Sequence, residues 1–253
     1  MDKIDILVLG GGYGTRLFGK GLRKDYSPKG LVDVNGKKAV EWGLDSFSDD
    51  LVRNIFIETN NEGFGPYSDW LRNSRYMRKA EIVVEPHSTP QRSLGVLETI
   101  ADTFSRLSFE KPVLVLASDH VFSDNQDGLI TDYKGEECRV GVYNIESASE
   151  ASNYSVVKVI DGRVVAWKEK PISPKSTLVG VSCKIWNRKV FDQLENWNRS
   201  GGNPDRDGDF MSYLIDQGYF VSSFPVPGQW FDIGTPANLD KARKSLRLSN
   251  DKN

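Results

Sequence analysis

The sequence predicts an α/β fold with a mixed, mostly parallel central sheet, helices on both of its faces and a small antiparallel β subregion. Two observations carry that expectation. Up to about residue 135, apolar strand-length runs alternate with helical-length stretches whose apolar residues recur at three- and four-residue spacings, the pattern of βαβ units. Beyond it the pattern changes to short alternating strands, two of them flanking Asp161-Gly162, a dipeptide that favours a tight hairpin.

Element by element, Ile4 to Leu9 is an apolar run stopped by Gly10, Gly11 and Gly12, which reads as a buried strand entering a glycine turn. Strands are expected next at Asn54 to Thr59, Ala80 to Val84 and Pro112 to Ala117, with helices within Lys38 to Phe47, Pro66 to Asn73 and Leu94 to Leu107. In the second half, strands are expected at Arg139 to Ile145, Tyr154 to Ile160, Val164 to Glu169, Leu178 to Trp186 and Tyr219 to Pro225. Helices are expected at Arg188 to Trp197, Phe210 to Gln217 and Pro236 to Leu248. No internal repeat or low-complexity linker is visible, so the 253 residues read as one domain.

Composition narrows the function classes. Lys plus Arg number 33 against 35 Asp plus Glu, a formal net charge of −2, which excludes a broad basic surface for nucleic acid and leaves only local phosphate binding. With 38% hydrophobic residues, the chain has material for a sizeable core and is not disordered. Its longest apolar runs, such as Val113 to Ser118, are far short of the roughly 20 residues of a membrane helix. The opening Met-Asp-Lys-Ile-Asp-Ile does not read as a signal peptide. Cys138 and Cys183 form no C-x-x-C pattern, which speaks against a disulfide framework or a zinc ribbon. A soluble cytoplasmic protein, without a membrane or nucleic-acid partner, is the expectation.

The run Leu9-Gly10-Gly11-Gly12-Tyr13-Gly14-Thr15-Arg16-Leu17 places four glycines and an arginine directly after the first strand. Glycines let backbone N–H groups converge on a phosphate, and a following helix start adds a favourable dipole. The dinucleotide fingerprint G-x-G-x-x-G fails, because its last position falls on Thr15 or Leu17. The P-loop comes closer, with Gly14 to Lys20 fitting G-x-x-x-x-G-K, yet Gly21 stands where a Ser or Thr must hold magnesium.

A different template accounts for more residues. Gly-Gly-x-Gly-Thr-Arg-Leu, then Pro28-Lys29 ahead of Leu31-Val32-Asp33-Val34, resembles the signature of the sugar-1-phosphate nucleotidyltransferases, the enzymes that make nucleotide sugars. The similarity continues in order through Ser118-Asp119-His120, Glu169-Lys170-Pro171 and Trp230-Phe231-Asp232-Ile233-Gly234-Thr235-Pro236, close to the C-terminus. A lone glycine turn is weak; this ordered series is specific. The resemblance implies a three-layer Rossmann-like (GT-A-like) nucleotidyltransferase fold. It also implies one catalytic domain, 1-253, with a nucleotide-binding half at 1-135 and an acceptor-binding half at 136-253.

It further implies roles. Gly11, Gly12, Gly14 and Thr15 would contact the nucleoside triphosphate, with Leu9, Glu85 and Gly95 at the place where the family reads the nucleotide. Here the sequence departs, because His87 to Leu94 is longer than the usual connection. Arg16 would hold the departing pyrophosphate, a role its fixed charge and forked donors suit on chemical grounds as well. Lys29 would stabilise the triphosphate. Asp119 and Asp232 would jointly bind Mg²⁺, whose hard-oxygen preference suits carboxylates and phosphates. Lys170 would take the acceptor phosphate and Glu169 its hydroxyls, with Pro171 expected to keep Lys170 extended. Ser155, in Asn153-Tyr154-Ser155-Val156-Val157, stands where the sugar-site strand of the family has glycine.

The implied reaction transfers NMP from an NTP to a sugar 1-phosphate: a phosphate oxygen of the acceptor attacks the α-phosphorus and pyrophosphate leaves, giving an NDP-sugar. Its nucleophile is already ionised, so no general base is needed. Only His87 and His120 are present, and no Ser-His-Asp or Cys-His constellation can be built. His120 either lines the site beside Asp119 or packs structurally. Two rivals stay open: a cytidylyltransferase acting on a non-sugar phosphate such as phosphocholine, and a non-catalytic nucleotide-sugar sensor on the same fold. A P-loop kinase is more distant. Asn203 to Gly208 imitates half of a calcium loop but has Leu214 where a bidentate Glu belongs, and reads as a polar turn before a helix. Whether the chain forms a homo-oligomer is left open.

Overall fold

Ile4–Leu9 is buried on both faces instead of alternating, as a strand inside a parallel sheet must be. Its one acidic residue, Asp5, is 4% exposed and accepts hydrogen bonds from Arg53 and Asn54. The structure, a computed structural model, describes residues 3–19, 27–86 and 94–250, the last four by backbone alone. The lengthened 87–93 connection, and Lys20 and Gly21 of the P-loop comparison, lie outside the described residues.

In chain order the elements are β1 (Ile4–Leu9), α1 (Thr15–Phe18), β2 (Asp33–Val34), β3 (Lys37–Lys38), α2 (Ala39–Leu44), β4 (Val52–Thr59), α3 (Asn61–Arg72) and β5 (Ala80–Val84). Then follow α4 (Val96–Leu107), β6 (Val113–Ala117), β7 (His120–Phe122), α5 (Gly128–Thr131), β8 (Cys138–Asn144), α6 (Ala148–Ala151) and β9 (Val156–Ile160). The chain continues with β10 (Arg163–Lys168), β11 (Leu178–Trp186), α7 (Arg188–Arg199), α8 (Asp207–Asp216), β12 (Val221–Pro225), β13 (Trp230–Asp232) and α9 (Pro236–Asn250). Two compact units result. The terminal unit comprises Asp2–Ser93, Leu116–Asp127 and Pro227–Asn253, and the inner unit Leu94–Val115 and Gly128–Val226.

In the terminal unit, β1 pairs in parallel with β4 (Leu9↔Glu58), and β4 with β5 (Thr59↔Val84). The strand ends therefore line up at one edge, where Gly10, Asn60 and Glu85 follow. A separate antiparallel ribbon joins β7 to β13 in the register Asp232↔His120, Phe231↔Val121 and Trp230↔Phe122. Because residues directly opposite share a face, Val121 and Phe231 turn together into a core with Leu17, Ile233, Leu239 and Leu246. Asp232 and His120 are left on the other face. Each such fully buried aliphatic or aromatic side chain contributes on the order of 1.5–3 kcal/mol relative to exposure.

In the inner unit β11 pairs antiparallel with β8, β8 parallel with β12, β12 antiparallel with β10, and β10 antiparallel with β9. Strand β9 returns to β11 through Val179↔Val156, so the five strands close on themselves. Asp161-Gly162 makes the predicted hairpin, with φ of 49° and 76°, values that match a type I′ turn. Helix α4 buries Leu97, Ile100 and Phe104 at helical spacing, and Phe104 stacks on Phe191 of α7 with centroids 3.6 Å apart.

Two helices begin earlier than the sequence suggests. Helix α3 starts at Asn61, five residues before Pro66, because Asn60 caps it by accepting from the Gly63 N–H at 2.8 Å. Pro66 is then an internal residue that donates no bond. Helix α8 starts at Asp207, so Asp207-Gly208-Asp209 is its first turn and not a polar turn ahead of it. Acidic residues are favoured there by the helix dipole. No described helix is long and apolar enough to cross a membrane.

Asp45, at the end of α2, accepts from Lys37, Arg75 and the Tyr76 hydroxyl. Burial raises its pKa, but these three donors outweigh that and hold the carboxyl below its ordinary 3.8. A depressed carboxylate stabilises the fold above its unfolded pKa and loses that contribution as pH falls through the folded one. Asp45→Asn should therefore lower Tm by about 2–4 °C at pH 7, for a loss of ~1 kcal/mol. Thermal unfolding at pH 7 and below pH 3 checks this: the gap between variant and wild type should close at the acid end.

Candidate active site

The glycine turn begins where β1 ends. The Gly10 N–H donates to the Glu58 carbonyl at 2.8 Å, and the Gly11 N–H reaches Glu58 Oε2 at 3.3 Å. Asn60 Nδ2 donates to the Gly11 carbonyl at 2.6 Å. A Cβ at Gly10 would stand 2.7 Å from the Tyr67 hydroxyl and 2.8 Å from the Glu58 carbonyl oxygen, so only glycine fits so close an approach. Gly14 has φ 66° and opens α1, leaving Thr15 and Arg16 exposed. The Leu9 carbonyl accepts from the Ser118 N–H at 3.1 Å, which ties the end of β1 to the segment carrying Asp119.

Four charged side chains meet beside this turn. Lys29 Nζ forms an ion pair with Asp119 Oδ2, and their side chains are 19% and 10% exposed. A Cβ at Gly234 would lie 2.8 Å from Asp232 Oδ1, 3.6 Å from Arg16 Nη2 and 3.7 Å from Asp119 Oδ2, so both carboxylates and the guanidinium surround one point. The ribbon explains the convergence: β13 sets Asp232 opposite His120, and the Ile233 N–H donates to the Asp119 carbonyl at 3.0 Å. Asp232 Oδ1 accepts from the Gly234 N–H at 2.9 Å, which fixes the carboxylate in place.

Electrostatics agree with the geometry. Burial pushes the Asp119 carboxyl up, but the Lys29 ammonium and then His120 prevail and hold it well below the usual carboxylate range. Burial likewise pulls Lys29 down, while Asp119 and then Asp232 prevail and keep it above an ordinary lysine, with Arg16 opposing. Asp119 and Asp232 present hard oxygens to a shared point, and two protein oxygens with remaining positions open to water and phosphate is a donor set that suits Mg²⁺. Among the described residues no group of three or more His, Cys, Asp or Glu is arranged to hold a metal.

The inner unit carries the predicted acceptor residues. Ser155 Oγ donates to Glu169 Oε2, and Lys170 Nζ lies 3.3 Å from Glu169 Oε1. Lys170 does not take the extended backbone expected ahead of Pro171: its φ is 40°, in the left-handed region. The cause is tertiary, since the Lys170 N–H is held by the Tyr154 carbonyl at 3.2 Å where the chain leaves the β9–β10 hairpin. Backbone held in so sparsely populated a region is concentrated at functional sites.

Arg16, Lys29, Asp119, Asp232, Gly11, Gly12, Gly14 and Thr15 are thus gathered in one unit, and Ser155, Glu169 and Lys170 in the other. Glu85 is buried at the end of β5, its N–H donating to the Thr59 carbonyl at 2.8 Å. Gly95 caps α4, and a Cβ there would stand 2.6 Å from the Pro204 ring and backbone, which gives a packing reason for glycine. His120 is 5% exposed and meets Trp230 edge-on at 5.2 Å, so it packs as well as adjoining Asp119. Sequence reading missed Glu58, Asn60 and Tyr67, which brace the turn. Asn60 alone carried a legible signal, as a cap directly after a strand end.

Three comparisons bear on the family and the fold. The Nucleotidyl transferase family profile matches residues 6–248. A glucose-1-phosphate adenylyltransferase of Fusobacterium nucleatum is 24% identical over 98% of this chain and 68% of its own. Related adenylyltransferases are spanned over 60% to 72% of their lengths. Among solved structures, an apo UDP-glucose pyrophosphorylase aligns with TM-score 0.76 and 17% identity over 99% of this chain and all of that one. An inositol-1-phosphate CTP transferase from T. maritima aligns with TM-score 0.75 and 15% identity over 98% and 97%. These structural likenesses establish the fold, a mixed α/β nucleotidyltransferase architecture.

Gly10→Ala should cost about 1–3 kcal/mol through overpacking. Gly12→Ala, whose Cβ would meet nothing closer than Lys29 Cε at 3.8 Å, should stay within about 0.5 kcal/mol of wild type. Urea unfolding of both variants decides: equal losses would show that the turn is not packed as described.

Proposed function

The chain belongs to the nucleotidyl transferase family, and we propose that it transfers the nucleoside monophosphate of an NTP to a sugar 1-phosphate, giving a nucleotide sugar and pyrophosphate. The observation that carries this reading is the meeting of Arg16, Lys29, Asp119 and Asp232 beside a glycine turn. Two cations, two metal-capable carboxylates and converging backbone are what two anionic substrates need in order to approach each other.

A phosphate oxygen of the acceptor attacks the α-phosphorus in line, and the bond to the β-phosphate breaks with its electron pair leaving on pyrophosphate. The attacking oxygen is ionised at neutral pH, so the side chains position and neutralise instead of moving protons. Gly11, Gly12, Gly14 and Thr15 seat the triphosphate, with Leu9, Glu85 and Gly95 assigned to the nucleotide. Arg16 offsets charge that builds on the leaving pyrophosphate. Lys29, held charged by Asp119, is placed to follow the phosphates. Asp119 and Asp232 would hold Mg²⁺, which supplies Lewis-acid neutralisation of phosphate charge when bound. Lys170 takes the acceptor phosphate and Glu169 its hydroxyls. Residues 1-135 are assigned the nucleotide and residues 136-253 the acceptor, the two halves of one catalytic domain. Two buried free thiols, Cys138 and Cys183, support a cytoplasmic setting.

One observation favours a second reading. The Ser155 hydroxyl donates to Glu169 Oε2, which leaves less of that carboxylate for a hexose and suits a non-sugar phosphate acceptor. A screen that includes amino-alcohol and cyclitol phosphates separates the two.

Asp119→Ala should leave the fold intact and lower magnesium-dependent pyrophosphate release by about 100-fold or more; wild-type turnover would remove it from the metal site. Lys170→Ala should raise the acceptor KM by about tenfold or more with little change in the triphosphate KM. An equal effect on both would take Lys170 out of the acceptor site.

A further inference from the structure

The inner unit holds a buried charge that the reaction does not use. Lys184, on β11, has a side chain only 4% exposed, and its Nζ forms an ion pair with Asp207 Oδ2 in the first turn of α8. The rings of Trp167 and Trp186 flank the ammonium at 5.6 and 5.8 Å. Asp207 Oδ1 is itself buried and accepts no hydrogen bond from the described residues. The next residue, Gly208, lies so close to the acceptor pair that a Cβ there would collide with Glu169 Oε2 and stand 2.7 Å from Ser155 Oγ.

Stability does not explain such a pair. Taking two charges out of water costs as much as their attraction returns, and well-packed apolar side chains of the same volume usually serve as well or better. An ammonium near a helix N-terminus is also opposed by the helix dipole, which a carboxylate in the first turn offsets. What the pair does supply is a fixed distance: it ties the start of α8 to β11, and the start of α8 is the surface on which Glu169 and Ser155 rest.

Resting on the acceptor role given above to Glu169, we propose that Lys184 and Asp207 are positioning residues for acceptor binding. Their ion pair holds Gly208 against Glu169, which sets the direction in which that carboxylate meets the acceptor hydroxyls. Neither residue touches the acceptor.

The test is the double variant Lys184→Met/Asp207→Leu, which replaces the pair by apolar side chains and is expected to fold. The acceptor KM should rise at least tenfold while the triphosphate KM stays within twofold. Hydrogen exchange at the Asp209 and Phe210 amides, both bonded to the Arg206 carbonyl, should quicken at least tenfold. A folded double variant with a wild-type acceptor KM, or with wild-type exchange at these amides, overturns the proposal. If the wild type turns over no substrate pair, the acceptor reading fails. Exchange then judges the tether alone: faster exchange supports it and unchanged exchange refutes it. Should the double variant not fold, Asp207→Asn, which keeps the shape and removes the charge, is measured in the same two ways.

Discussion

Two aspartates brought within a few ångströms of one point repel each other, and the terminal unit is organised around offsetting that repulsion. At 4 Å a like-charge pair costs ~1 kcal/mol in water and ~4 kcal/mol at the dielectric of a protein surface. Lys29 lies on Asp119, Asp232 adds to the field that keeps Lys29 charged, and Arg16 closes the group from α1. Each charge is placed by backbone that has another reason to be where it is. Asp119 follows a segment bonded to the end of β1, and Asp232 ends a strand whose alternate residues fill the core under α9.

The same arrangement appears in the inner unit. Glu169 is satisfied by its own chain, through Ser155 and Lys170, and is backed by a glycine whose neighbour is pinned to a buried lysine. A carboxylate so constrained loses its conformational freedom during folding and not on each binding event. The left-handed backbone of Lys170 fits this picture, since a strained residue persists where its surroundings over-determine it.

What was legible in the sequence follows from what pattern can encode. Long apolar strands such as Ile4–Leu9 and Leu178–Trp186 announce themselves by composition, and the Asp161-Gly162 hairpin by the positive φ its turn requires. Arg16, Lys29, Asp119 and Asp232 stood out because ordered motifs surround them. The three-residue strands β7 and β13 carry no period, yet their pairing is what brings two of those residues together. Pro66 suggested a helix start that the Asn60 cap places earlier. The Lys184–Asp207 pair was invisible, because a lysine in an apolar strand reads as a surface residue until its burial is seen.

The charge cluster of Arg16, Lys29, Asp119 and Asp232 is proposed to serve nucleotidyl transfer to a phosphate acceptor. The most direct measurement incubates the protein with each of four NTPs and a panel of sugar 1-phosphates and other phosphate monoesters, with and without Mg²⁺, and follows pyrophosphate and nucleotide product together. Equimolar pyrophosphate and nucleotidylated acceptor are expected from at least one pair, only with the metal and only with the acceptor present. Release of orthophosphate instead of pyrophosphate, or no turnover of any pair by folded protein, would contradict it.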